Sequence, residues 1–260
     1  MSAKKLFKMA RIFILSMILI GVALGSWLTG KRSTDWERPL WIAIYPINAD
    51  QSPVTQKYIE KLNIETFISI EEFMTEEAQE FKLPLNRPFS IKLAPQVSSL
   101  PPEPPASGAI WEVIIWSLKL RYWAYKANTY QGATPHIRMF VKYFDPQKQR
   151  VLAHSLGLPQ GMLGVVNAFA ENKMTLSNSV VITHEILHTL GATDKYDLNT
   201  GQPIFPVGYA DAEQSPLYPQ ETAEIMGGKI PLSEGEALIP RGLHQVIIGE
   251  ETAREIRWLN

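Results

Sequence analysis

Cysteine is absent from the 260-residue chain. That excludes disulfides, thiolate metal ligands, a cysteine nucleophile and an acylated lipoprotein cysteine. Acidic residues are missing from the first 32 positions, which carry Lys4, Lys5, Lys8, Arg11, Lys31 and Arg32. The rest of the chain holds 19 basic and 26 acidic residues, the totals of 25 and 26 less those six cations. A body with net charge −7 gives no reason to expect nucleic acid as a partner. No internal repeat is visible, which excludes a solenoid or propeller. What is present suits a folded domain: 45% hydrophobic residues and seven tryptophans can fill a sizeable core.

The N-terminal cations precede an apolar run over 12–28, broken only by Ser16, Ser26 and glycines. A helix over that run is about 26 Å long, near the lower limit for crossing a bilayer. The basic flank places Met1 on the cytoplasmic side and the body outside. The run reads as an uncleaved signal anchor. The alternative is a signal peptide cleaved after Ala23-Leu24-Gly25, which releases a secreted body. The expected organisation is a segment 1–32 that engages a membrane and one domain over 33–260.

Along the body, 40–47 reads as a strand ended near Pro46. Residues 54–62 and 70–81 read as helices, and 89–93 as a short strand. A loop with five prolines from Pro95 to Pro105 follows. A long helix covers 109–126, with Ile110, Val113, Ile114, Leu118 and Trp123 among its apolar positions. Strands are expected at 137–144 and 162–169, a helix at 179–190, irregular chain over 194–221, and a closing helix over 250–258. Strands interleaved with helices in this order indicate an α+β domain.

The chemistry concentrates in His184-Glu185-Ile186-Leu187-His188. Residues four apart share a helix face, so His184 and His188 can offer nitrogens to one Zn²⁺. Glu185 lies about 100° further round, where it can reach water on a metal rather than the metal itself. Ile182, Ile186 and Leu190 occupy the other side and can anchor the helix in the core. Gly191 can end the helix in a left-handed conformation. The reversed chain then brings Asp194, a suitable zinc ligand, back toward the histidines. Two histidines and one carboxylate leave a position open for water, as a catalytic site requires.

The string HExxHxxGxxD resembles a variant of the metzincin zinc signature, similar to that of snapalysin-like peptidases. Gly191-Ala192-Thr193-Asp194 is also faintly similar to the GTxD element of aspzincins. The resemblance covers about 162–228. It implies His184, His188 and Asp194 as zinc ligands and Glu185 as general base. It also implies a methionine turn at Ile225-Met226-Gly227-Gly228, with Met226 as hydrophobic floor. The implied fold is a metzincin-like mixed sheet with an active-site helix and a C-terminal helical subdomain. The implied activity is hydrolysis of peptide bonds in a peptide or protein substrate. The strand at 162–169 is then expected at the sheet edge, receiving extended substrate, with 230–232 walling the pocket beyond the scissile bond.

Alternatives stay open. Glu221 or Glu224 can supply a third ligand from downstream, as in gluzincins. Asp197 is a competing carboxylate, ranked as standing behind the ligands, and Tyr196 can stand there too or meet charge that develops in the transition state. A zinc-bearing binding or scaffold module without catalysis is a further reading, which Glu185 argues against. His136, His154 and His244 read as ordinary surface or core histidines.

Overall fold

The computed structural model describes residues 11, 13, 16, 17, 35–159 and 161–259. Most of the apolar run at 12–28, and with it the expected membrane segment, lies outside the described residues. Among the described residues no helix is long and apolar enough to cross a membrane. The expected single-pass placement is corrected accordingly.

The core is a five-stranded sheet: β1 (Leu40–Asn48), β2 (Phe89–Leu93), β3 (Ile137–Phe144), β4 (Leu156–Leu158) and β5 (Leu163–Phe169). The spatial order is β2-β1-β3-β5-β4. Four strands are parallel and only β4 runs antiparallel, against β5. The domain is therefore mixed α/β with a mixed sheet.

Pro46 does not end β1, contrary to expectation; it pairs with Val141 inside the strand. Its carbonyl accepts from Val97 N at 2.9 Å, so its backbone polar side faces β2. There β2 has already stopped, its pairing ending at Ile44 and Leu93. The missing N–H falls where no ladder bond is required.

Side-chain alternation gives the sheet two apolar faces. Ile42, Ile44, Met139, Val141 and Val166 point into one core. Helices α1 (Pro53–Ile59), α2 (Ile68–Glu80) and α4 (Thr175–Leu190) contribute to that core. Ala43, Tyr45, Ile47 and Phe140 point the other way and pack on Leu120 and Ala124 of α3 (Ile110–Lys126). Burial on both faces explains why β1 and β3 read as near-continuous apolar runs.

Beyond α4 the chain is largely irregular. It contains three two-residue strands, β6 (Ala223–Glu224), β7 (Ile230–Pro231) and β8 (Ala237–Leu238). Another such strand, β9 (Val246–Ile247), follows, and then α5 (Glu250–Glu255). A helical C-terminal subdomain is not what forms. The prolines and glycines between 201 and 242 break any helical period, and loop hydrogen bonds hold the region instead.

Candidate functional site

Helix α4 starts at Thr175, four residues before the position expected from sequence. Its Asn178 side chain accepts from Phe169 N at 3.1 Å and donates to Phe169 O at 2.9 Å. Those two bonds tie the helix to the end of β5. Ile182, Ile186 and Leu190 are buried, as the helix period requires. Gly191 ends the helix at φ 110°, with Ala192 N donating to Leu187 O at 3.1 Å. A side chain at that φ is strained, which accounts for glycine here.

The reversal brings Asp194 back onto the helix face. Its Oδ1 lies 3.2 Å from His184 Nε2 and 3.1 Å from His188 Nε2. The other ring nitrogens face carbonyls: His184 Nδ1 is 2.9 Å from Ile225 O and His188 Nδ1 is 2.8 Å from Ala192 O. A carbonyl can only accept, so both Nδ1 atoms carry the proton and both Nε2 atoms present lone pairs. Two imidazole lone pairs and a carboxylate oxygen thus meet at one point, which a cation satisfies. Tetrahedral ligands about 2.0–2.1 Å from a zinc ion stand about 3.3 Å apart, close to the separations found. One ligand atom each from His184, Glu185 and His188 also lies within 4.8 Å of the others. The donor set and its spacing fit a divalent metal.

Electrostatics agree with that grouping. Burial alone raises a carboxylic acid, yet rings that carry a proton on Nε2 as well as Nδ1 donate to Asp194 and hold it well below the usual carboxylate range. Burial works against charge on His188, but Asp194 and the Ala192 carbonyl outweigh it and raise its pKa. Burial raises the pKa of Glu185, against the opposing pull of both histidines. Its Oε2 is buried without a hydrogen-bond partner, an uncommon state for a carboxylate oxygen.

Tyr196 faces this group from the loop beyond Asp194, its ring centroid 6.4 Å from that of His184. Burial first, and then the Asp194 carboxylate, push its phenol up to about 12. Asp197 is not brought to the site. It is fully exposed, and its Oδ1 accepts from Asn199 N and Thr200 N to close a surface turn. The Glu224 carboxylate is fully buried, where it accepts from Gly227 N, Gly249 N and Thr252 Oγ1 at 2.8, 3.2 and 2.6 Å. Those bonds close a turn and bind β6 to α5, which leaves little of Glu224 for a metal. Glu221 is exposed, and the carboxylate found against both histidine Nε2 atoms is that of Asp194. Met226 sits fully buried in the tight turn in which Gly227 N and Gly228 N both reach Glu224 O at 3.0 Å. The same turn supplies the Ile225 carbonyl beneath His184.

Beside Glu185 lies a cavity of about 460 Å³. Phe169, Val180, Val181, Ile225 and Ile239 give it apolar walls, and His154 and Asn167 line it too. Its far wall is corrected relative to expectation. Gly228, Ile239 and Pro240 line it, while Ile230 and Pro231 are engaged in β7 pairing. The expected edge strand is corrected as well. β5 is interior, and the short β4 beyond it forms the edge. A three-residue strand built on Gly157 carries too little periodicity to be read from sequence.

Three further residues escaped sequence reasoning. Gly157 lets β4 lie against α4: a Cβ there meets Glu185 O at 2.4 Å and His188 Cβ at 2.5 Å. Asn167 holds the segment before β4 through Ala153 O and His154 O, at 3.1 and 3.0 Å. Glu255 grips the Asp194 loop, accepting from Thr193 N at 3.0 Å and pairing with Lys195 at 2.7 Å. Each acts on residues distant in sequence, and only a glycine between apolar residues gave any signal, at Gly157.

No family model matches the chain, and no curated protein matches it. A solved structure of a chaperone–substrate complex matches with a TM-score of 0.39 and 14% identity, over 84% of this chain and 33% of the other. The chain spans about a third of the length of that one, and a likeness this weak carries no argument.

Proposed function

We propose that the chain is a zinc-dependent peptidase that cleaves a peptide or protein substrate beside α4. The convergence of His184 Nε2, His188 Nε2 and Asp194 Oδ1 carries this reading, because backbone carbonyls fix both rings with their lone pairs directed at the same carboxylate oxygen. When bound there, zinc would supply Lewis acidity and a water acidic enough to attack at neutral pH. Glu185 Oε2, buried and without a partner, would accept the proton of an attacking water and pass it to the departing amine. Burial keeps the basicity of this carboxylate above that of a solvated glutamate, as a base requires. The Tyr196 phenol stays protonated and can donate a hydrogen bond to charge developing on the substrate oxygen.

The fold also supports a metzincin-like reading. A parallel sheet has an antiparallel edge strand packed on the HExxH helix, and a buried methionine turn supplies the carbonyl under His184. A scaffold role for zinc requires no unpartnered carboxylate beside the ligands, so Glu185 favours catalysis. Zinc titration of the purified chain, with hydrolysis of a mixed peptide library followed in parallel, tests the proposal. One zinc per chain and turnover abolished by Asp194→Ala, but not by Glu221→Ala, are expected. Tight zinc binding by Asp194→Ala would sink the ligand assignment. Zinc without turnover on any peptide would leave the scaffold reading in its place.

A further inference from the structure

Helix α3 is apolar on two opposite sides. Leu120 and Ala124 are buried under the sheet. On the other side Trp111, Ile115, Leu118, Tyr122 and Tyr125 are 63, 45, 60, 66 and 73% exposed. No described element covers them. An isolated surface helix normally presents polar residues there.

The spacing of these five residues is four, three, four, three. At 100° per residue they fall within a stripe about 80° wide. That is the alternation of a coiled-coil seam, whose mean repeat of 3.5 matches a second helix lying alongside. The three aromatic rings alone expose roughly 300–500 Å², taking about 150–250 Å² for a full ring. With Ile114, Ile115 and Leu118 added, the patch exceeds the roughly 300–600 Å² usual for the largest patch on a monomer.

We infer that this face joins two copies of the chain, with α3 packed antiparallel to α3 about a twofold axis near Leu118. A twofold contact requires a self-complementary surface. Antiparallel pairing centred on Leu118 sets Trp111 of each copy against Tyr125 of the other. A groove of about 390 Å³ lies between Trp111, Ile115 and the proline-rich loop at Pro102 and Pro105. It provides a hole for the incoming Tyr125 ring. Trp116 Nε1 fixes the loop side of that groove by donating to Pro102 O at 2.9 Å.

Charge decides the direction. Glu112, Lys119 and Lys126 flank the seam on one side, and Arg121 and Ile114 on the other. Parallel helices would set Ile114 of one copy beside Lys119 of the other and bring no opposite charges together. Antiparallel helices set Glu112 against Lys126 twice, with one Lys119–Lys119 approach near the axis. Two attractive contacts against one repulsive contact favour the antiparallel arrangement.

The cysteine-free chain makes the test direct. The full chain is expected to sediment as a dimer at micromolar concentration, and Leu118→Glu is expected to weaken self-association about 30-fold or more. Under mild oxidation Leu118→Cys should form a covalent dimer. Trp111→Cys alone should not, whereas Trp111→Cys mixed with Tyr125→Cys should. Dimers linked through Trp111→Cys alone would overturn the antiparallel arrangement. A monomer at all concentrations, with no cross-link from any of these variants, would overturn the interface. A monomer that floats with phosphatidylcholine vesicles, and ceases to float as Leu118→Glu, would assign the face to lipid and equally refute it.

Discussion

Lys195 Nζ lies 2.7 Å from Glu255 Oε2, an ion pair between residues 60 apart in the chain. The lysine side chain is 3% exposed and also donates to Thr193 O at 3.2 Å. Asp194 stands between Thr193 and Lys195, so α5 clamps the turn that presents the third candidate ligand. Glu255→Ala leaves a buried ammonium without its anion, and we expect a loss of about 3 kcal/mol in stability. Urea unfolding measures this. The double variant Lys195→Met with Glu255→Leu should recover most of the loss, because the uncompensated charge is gone. A double variant no better than the single would show that the pair itself, not the stranded lysine, carries the energy.

Glu185→Gln preserves the shape of the side chain but removes the proposed base. Zinc stoichiometry should stay at the parent value while kcat falls by about 10²–10⁴-fold. Parallel metal analysis and single-substrate kinetics read both quantities. Turnover within a few-fold of the parent contradicts the assignment of this carboxylate as base.

Gly157→Ala places a methyl group 2.4 Å from Glu185 O and 2.5 Å from His188 Cβ. Neither atom is the free end of a flexible side chain, so β4 or α4 must move. A stability loss of about 1–3 kcal/mol and weaker zinc binding are expected. Gly235→Ala is the control, since nothing lies within 4 Å of a Cβ there. Equal behaviour of the two variants would remove the close approach of β4 as a cause.

Glu77 offers a pH-dependent test away from the candidate ligands. Burial, with the neighbouring Glu80, Glu76 and Glu224, pushes its carboxyl up from 4.5 to about 7 despite a 2.6 Å hydrogen bond from Ile248 N. Between those values the unfolded chain has released this proton and the folded chain retains it. Folding stability from this group therefore falls as pH rises from 4.5 to 7 and is level above. Glu77→Gln removes the penalty and keeps an acceptor for Ile248. At pH near 8 it should be more stable than the parent by up to about 3 kcal/mol, and near pH 4 by little. A difference that does not vary with pH refutes the buried-acid account.

Periodicity and local chemistry made much of the molecule legible. β2 and β3 fall where alternating apolar residues placed them, and α3 within one residue. The pair His184 and His188, the reversal at Gly191 and the return of Asp194 follow from helix geometry and one left-handed residue, all within eleven positions. Local rules therefore determined the candidate site's centre. Tertiary structure alone decided what surrounds it. Pro46 remains inside β1 because β2 stops at Leu93, a fact about a neighbouring strand rather than about proline. Glu224, a plausible ligand on spacing, is buried among Gly227, Gly249 and Thr252, because β6 meets α5 only once the chain has folded. The edge strand β4, the clamp from Glu255 and the lone apolar face of α3 arise in the same way. Each depends on which segments meet in space, and a sequence window carries the periodicity of one segment but not the identity of its neighbours.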